Sequence, residues 1–114
     1  MKIKKIITIL WLSIGILICV FCQNSEKEIE GWSSYQGELK WDDAMKKCST
    51  LDMRLPTKEE WQDGYKKGLF TSWEKRDYLT STVYDEKTIH TFNLVIGSNK
   101  KTYKDNLTAT RCIK

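Results

Sequence analysis

The spacing of apolar positions changes along the chain, and each spacing predicts a different element. Behind a cationic start at Lys2, Lys4 and Lys5, residues 6–21 carry no charge at all. Residues 23–30 (QNSEKEIE) are polar apart from Ile29 and read as a tether. Between Gly31 and Lys40, the residues Trp32, Tyr35 and Leu39 stand among small polar neighbours, which suits a short first strand with a turn at Gly37. From Trp41 to Leu51 the apolar positions are Trp41, Ala44, Met45, Cys48 and Leu51, one face of a helix at a period of 3.6. Asp42 and Asp43 occupy its first turn, where the helix dipole favours negative charge.

Met53-Arg54-Leu55-Pro56 is predicted to be extended, because Pro56 disfavours helix for the residue before it. Thr57-Lys58-Glu59-Glu60 then has the form of a capping box, in which the Thr57 hydroxyl and the Glu60 carboxylate each satisfy the other's backbone amide. A second helix follows to about Lys67, burying Trp61 and Tyr65, with Gly68 as terminator. After an irregular stretch containing Trp73 the pattern turns to strand. Tyr78–Tyr84 (YLTSTVY) and Thr88–Ile96 (TIHTFNLVI) form the arms of a hairpin around Asp85-Glu86-Lys87. Residues 97–100 read as another turn, and Thr108–Ile113 as a final strand. The class is α+β: two helices followed by antiparallel strands.

The leading apolar run is 16 residues long, or about 24 Å as a helix, against a hydrocarbon core of about 30 Å. It fits a secretory signal better than a membrane span, with a retained anchor as the alternative. No small-residue cleavage site follows. The run ends instead at Cys19 and Cys22 and opens into the polar tether, as in a bacterial lipoprotein signal whose Cys is acylated. Cys22 is the favoured site because the tether starts directly after it, and Cys19 is the alternative. Phe21 and Ile18 stand where a lipobox usually has a small residue, so an ordinary signal peptide with two incidental cysteines is the other reading. Export implies an oxidising compartment, and Cys48 and Cys112 are then the cysteines left to pair.

Charge alters the picture little. The net charge of +4 comes from 19 basic and 15 acidic residues, but Lys2, Lys4 and Lys5 belong to the leader. The remainder carries 16 against 15, close to neutral, and shows no basic stripe of the kind nucleic acid requires. Of the chain's five Trp, Trp11 lies in the leader; the other four and five Tyr supply a small core, of a size that benefits from a covalent staple.

Four signatures stand in sequence order: Trp41-x-x-Ala44-x-x-x-Cys48, Arg54-Leu55-Pro56-Thr57-x-x-Glu60-Trp61, Tyr78-Leu79-Thr80-Ser81-Thr82, and Arg111-Cys112-Ile113-Lys114. With them, residues 32–114 resemble the C-terminal domain family of Legionella collagen-like adhesins, a branch of the C-type-lectin-like and formylglycine-generating-enzyme fold group. The resemblance implies a domain over 31–114 with its first and last strands paired. It also implies a disulfide from the first helix to the last strand, the RLPT segment linking the helices, and Glu60 capping the second. Leu79 and Met53 stand where that family often has Trp. Both substitutions keep the fold and remove any ligand contact those rings would make.

Calcium-dependent lectins carry Glu-Pro-Asn or Gln-Pro-Asp and Trp-Asn-Asp triplets, and neither occurs. Metal and cofactor patterns are likewise absent from the sequence, and His90, the only histidine, is expected to face solvent on its strand. Bridged cysteines would leave the domain no thiol for formylglycine-type chemistry. Lys100, Lys101 and Lys104, with Tyr103 between them, are the candidate contacts for a sulfated glycan, with a solvated hairpin tip as the plain alternative. Trp73 is a second candidate contact. The expected function is a non-catalytic, calcium-independent binding domain for glycan or protein. It would be carried on a lipoprotein held by its N-terminal lipid at the outer membrane or cell surface. A structural or accessory envelope lipoprotein is the alternative, and a formylglycine-generating-type enzyme comes third.

Overall fold

The computed structural model describes residues 26–114; the expectations for the leader, Cys19 and Cys22 lie outside the described residues. Within it the chain forms β1 (Glu38–Leu39), α1 (Trp41–Thr50), α2 (Lys58–Lys66), β2 (Asp77–Val83), β3 (Thr88–Asn93), β4 (Ser98–Tyr103) and β5 (Thr108–Ala109). The strands make one mixed sheet in the order β1-β5-β2-β3-β4. All neighbours are antiparallel except β2 and β5. This is a small α+β domain in which the first and last strands pair.

The sheet is covered on both faces because adjacent side chains in a strand point opposite ways. Leu79 joins Ala44, Cys48, Leu55, Ile89 and Cys112 in the core cluster beneath α1. Its neighbour Tyr78 joins Trp61, Phe70, Trp73, Phe92, Leu94 and Ala109 in an aromatic cluster beneath α2. Each helix is also tied to the middle of β2 by an indole. Trp41 Nε1–H donates to the Thr80 carbonyl at 3.0 Å and Trp61 Nε1–H to the Leu79 carbonyl at 3.1 Å. These carbonyls lie where the β2–β3 ladder slips register, so the tryptophans satisfy groups the ladder leaves open.

The predicted staple is present. Cys48 on α1 is bonded to Cys112, with Cα atoms 5.5 Å apart across a sequence separation of 64. On the chain-entropy account a loop of that size is worth roughly 4 kcal/mol. Residues 110–114 run between two other segments. On one side Ser33 N–H donates to Cys112 (2.8 Å) and Gln36 N–H to Thr110 (2.9 Å). On the other, Arg54 and Ile113 exchange both backbone bonds at 2.8 and 2.7 Å.

The strand pattern departs from expectation at two places. β3 stops at Asn93 rather than Ile96, because the Asn93 side-chain carbonyl accepts from the amides of Val95 (2.8 Å) and Ile96 (3.0 Å) and curls the chain into a turn. Val95 and Ile96 are consequently exposed. Residues 98–103, partly read as a turn, form edge strand β4, whose polar SNKKTY sequence carries no apolar alternation because residues on both of its faces are exposed, Thr102 alone being half-buried. The final strand keeps its ladder only at Thr108–Ala109 and continues to Ile113 as isolated bridges to Trp32 and Arg54. Met45, Leu51 and Tyr65, expected inside, are about 40% exposed: the helices bury narrower stripes than the periodicity suggests.

Candidate functional site

The linker between the helices behaves as a structural unit. Pro56 is buried, and its carbonyl accepts from Ser81 N–H at 2.8 Å, which fixes the start of α2 against β2. Both arms of the capping box are made: Glu60 N–H to the Thr57 hydroxyl (3.1 Å) and Thr57 N–H to Glu60 Oε1 (2.9 Å). The Arg54 guanidinium adds a two-pronged grip on the same carboxylate at 2.6 and 2.8 Å. That fork, with the cap bonds, holds the Glu60 carboxyl below its ordinary value. Trp41, Ala44, Arg54, Pro56, Thr57, Glu60 and Trp61 therefore all serve helix placement.

The expected lysine cluster is divided by strand alternation. In the β3–β4 register Lys101 lies opposite His90 and Tyr103 opposite Thr88, on one face, while Lys100 lies opposite Thr91 on the other. Two of the ammonium groups sit on aromatic rings: Lys101 Nζ is 3.6 Å from the Tyr84 ring centre and Lys104 Nζ 4.8 Å from that of Trp41. Trp73 is 3% exposed and belongs to the aromatic core, its ring forming part of the floor of a concavity that lies away from the lysines. His90 is half-buried rather than fully solvent-facing, its Nδ1 enclosed without a hydrogen-bond partner among the described residues. Burial first, then Lys58 and Lys101, push its pKa down.

Sequence reasoning missed the most unusual polar group, Arg111. Its side chain is 1% exposed, with the guanidinium carbon 3.8 Å from the Trp73 ring centre and 5.7 Å from those of Tyr35 and Tyr78. The available signal was alternation. Cys112 faces the α1 cluster, so its neighbour must face the aromatic one. Arg111 lies at the edge of a concavity of about 860 Å³, lined also by Glu26, Ile29, Trp32, Tyr35 and Trp73. Its Nη2 is ion-paired with the Glu26 carboxylate, and Nη1 reaches the Ser33 carbonyl at 3.5 Å. Neither Nε nor Nη2 has a well-formed hydrogen bond among the described residues. Burial raises the pKa of nearby Tyr78 against the opposing pull of Arg111.

Residues 26–30, read as tether, lie along this concavity. Lys27 accepts the Trp73 indole N–H at 3.1 Å and donates its own amide to the Ser72 hydroxyl at 3.0 Å, while Ile29 packs on the aromatic cluster. Among the described residues no group of three or more His, Cys, Asp or Glu side chains could hold a metal ion, and no helix is long and apolar enough to cross a membrane. In comparisons with known proteins, no family model matches the chain and no curated protein matches it.

Proposed function

We propose that the protein is an exported lipoprotein, acylated at Cys22 or alternatively Cys19, that presents a C-type-lectin-like, non-catalytic and calcium-independent binding domain at the outer membrane or cell surface. The observation that carries this reading is Arg111: a buried cation with unused hydrogen-bonding capacity beside an open concavity rimmed by aromatic rings. Burying a guanidinium costs several kcal/mol unless its donors are met, so a site of this kind suits an anionic partner. The lectin-like assignment rests on the paired first and last strands and on the bridge from first helix to last strand. That bridge also takes up the two thiols a formylglycine-type reaction would use.

The test is binding of residues 23–114 to an array of glycans and matrix proteins, with calcium and with chelator. Binding that resists chelator supports the module. Silence under both conditions overturns it in favour of a structural or accessory role, a reading favoured by the Glu26 carboxylate already seated on Arg111. Sulfated glycan is the ligand expected of β4. Replacing Lys100, Lys101 and Lys104 by Ala abolishes binding if β4 is the contact and spares it if the Arg111 concavity is.

A further inference from the structure

The residues seated along the concavity are themselves a short acidic peptide, Glu26-Lys27-Glu28-Ile29-Glu30. Glu26 meets Arg111 through one oxygen on one guanidinium nitrogen, and three residues later Ile29 packs on the aromatic cluster. The grip is incomplete. An arginine presents Nε and Nη2 as a parallel pair of donors matched to the two oxygens of one carboxylate, and here Nε has no partner among the described residues. Glu26 and Lys27 are themselves exposed, and the Lys27 amide is held only by the Ser72 hydroxyl, itself at the surface. Ile29 is anchored to the core, whereas residues 26–28 are held by the Glu26 ion pair and by the Lys27 backbone, which bonds the Ser72 hydroxyl and the Trp73 indole.

We infer that the Arg111 concavity is a binding site for a carboxylate on an acidic peptide, and that Glu26 occupies it as an internal competitor which the ligand displaces. The inference rests on the binding-module reading above and gives that module its ligand class. An incoming carboxylate takes both Nε and Nη2, with the ring of Tyr35, 37% exposed, standing at the rim, its centre 5.7 Å from the guanidinium carbon. Because the internal competitor is tethered, it acts at a high effective concentration and lowers the apparent affinity of the free chain. A segment docked in about nine molecules of ten leaves about one-tenth competent, a tenfold weaker apparent dissociation constant. Ligand binding then also frees residues 26–28 from the domain.

The test uses residues 23–114 and the synthetic peptide QNSEKEIE as probe, read by tryptophan fluorescence, since Trp32 and Trp73 line the site. Glu26→Gln should bind the peptide about tenfold more tightly than the unmodified chain, and a peptide with Gln at the position matching Glu26 should not bind. In the unmodified chain, saturating peptide should accelerate hydrogen exchange at the Lys27 amide. Equal affinity in both proteins, or unchanged exchange at Lys27 when the peptide is bound, overturns the proposal. Arg111→Lys should lose binding. If that variant does not fold, Tyr35→Ala, at the rim, should weaken binding while leaving the melting curve unchanged, and full binding by Tyr35→Ala counts against the site. Glucuronate matching the peptide in Glu26→Gln would show a sugar acid to be the better ligand and overturn the peptide assignment. A positive array result with a negative peptide result fails only this proposal, whereas silence on the array fails the module reading.

Discussion

Gly64 lies in the middle of α2, where an exposed glycine would be stabilised by replacement with alanine by about 0.8–1.0 kcal/mol through helix propensity. The structure reverses that sign. A Cβ at Gly64 would stand 2.4, 2.7 and 3.3 Å from three ring atoms of Phe70, well inside van der Waals contact. A mobile ring would move aside, but Phe70 is 2% exposed and wedged among Trp32, Trp61 and Trp73 at centroid distances of 4.8–5.0 Å. Overpacking of such a core costs about 1–3 kcal/mol, and a 2.4 Å contact belongs in the upper part of that range, so after the propensity gain Gly64→Ala should be destabilising by about 1–2 kcal/mol net. For a domain of this size that lowers Tm by roughly 4–8 °C per kcal/mol. Urea unfolding followed by tryptophan fluorescence, with the disulfide intact, gives the number. The mechanism is isolated by repeating the substitution in a Phe70→Leu background, where the obstacle is smaller and the cost should shrink or change sign. A neutral or stabilising Gly64→Ala in the unmodified chain, or an equal cost in both backgrounds, refutes the steric account.

Replacing Cys48 and Cys112 together by Ala should lower stability by about 3–4 kcal/mol, measured as the shift in urea midpoint. Thr57→Ala removes the side-chain cap of α2 and should cost about 1 kcal/mol in the same assay. Two pH effects should separate. Glu60 has its carboxyl depressed below 4.5 by the Arg54 fork, so its contribution is complete above that value and is lost as pH falls through the depressed folded-state value; Glu60→Gln should flatten the acid limb of a stability–pH curve. His90 is depressed below 6.5 by burial, so the fold resists protonating it and stability declines as pH drops below 6.5. His90→Gln should remove that upper part of the decline while leaving the Glu60 limb in place.

Local chemistry made much of the scaffold readable. The Thr57–Glu60 cap, the α1 stripe through Ala44 and Cys48, the stop at Gly68 and the β2–β3 hairpin all follow from interactions between residues close in sequence. Gly68 ends the second helix with φ +71°, a backbone angle open to glycine. What the sequence hid was set by distant partners. β4 is a strand because β3 offers it an edge, not because SNKKTY prefers one. Asn93 ends β3 through its side-chain carbonyl, a competition that apolar alternation does not register. The lysines looked like one cluster because they adjoin in sequence, while strand alternation places Lys100 and Lys101 on opposite faces. Arg111 appeared only as part of a terminal signature. Its role depends on Trp73 and Glu26, which lie 38 and 85 residues away along the chain.

The sandwiching of residues 110–114 between the Gly31–Gly37 segment and Arg54 also has a consequence in time. The closing strand is the last of these parts to be synthesised, and both the helix linker and the first strand wait for it to complete their hydrogen bonds. At about 5–20 residues per second, the ribosome adds the 59 residues separating Arg54 from Ile113 in several seconds. Throughout that interval neither the covalent bridge nor the sheet's closing pairs can form. The local elements, α1, α2 and the β2–β3–β4 meander, can form earlier, but their closure into one domain waits until Cys112 has been added. A chain ending before Thr110 would lose the bridge, the pairings on both flanks and the buried guanidinium in one step.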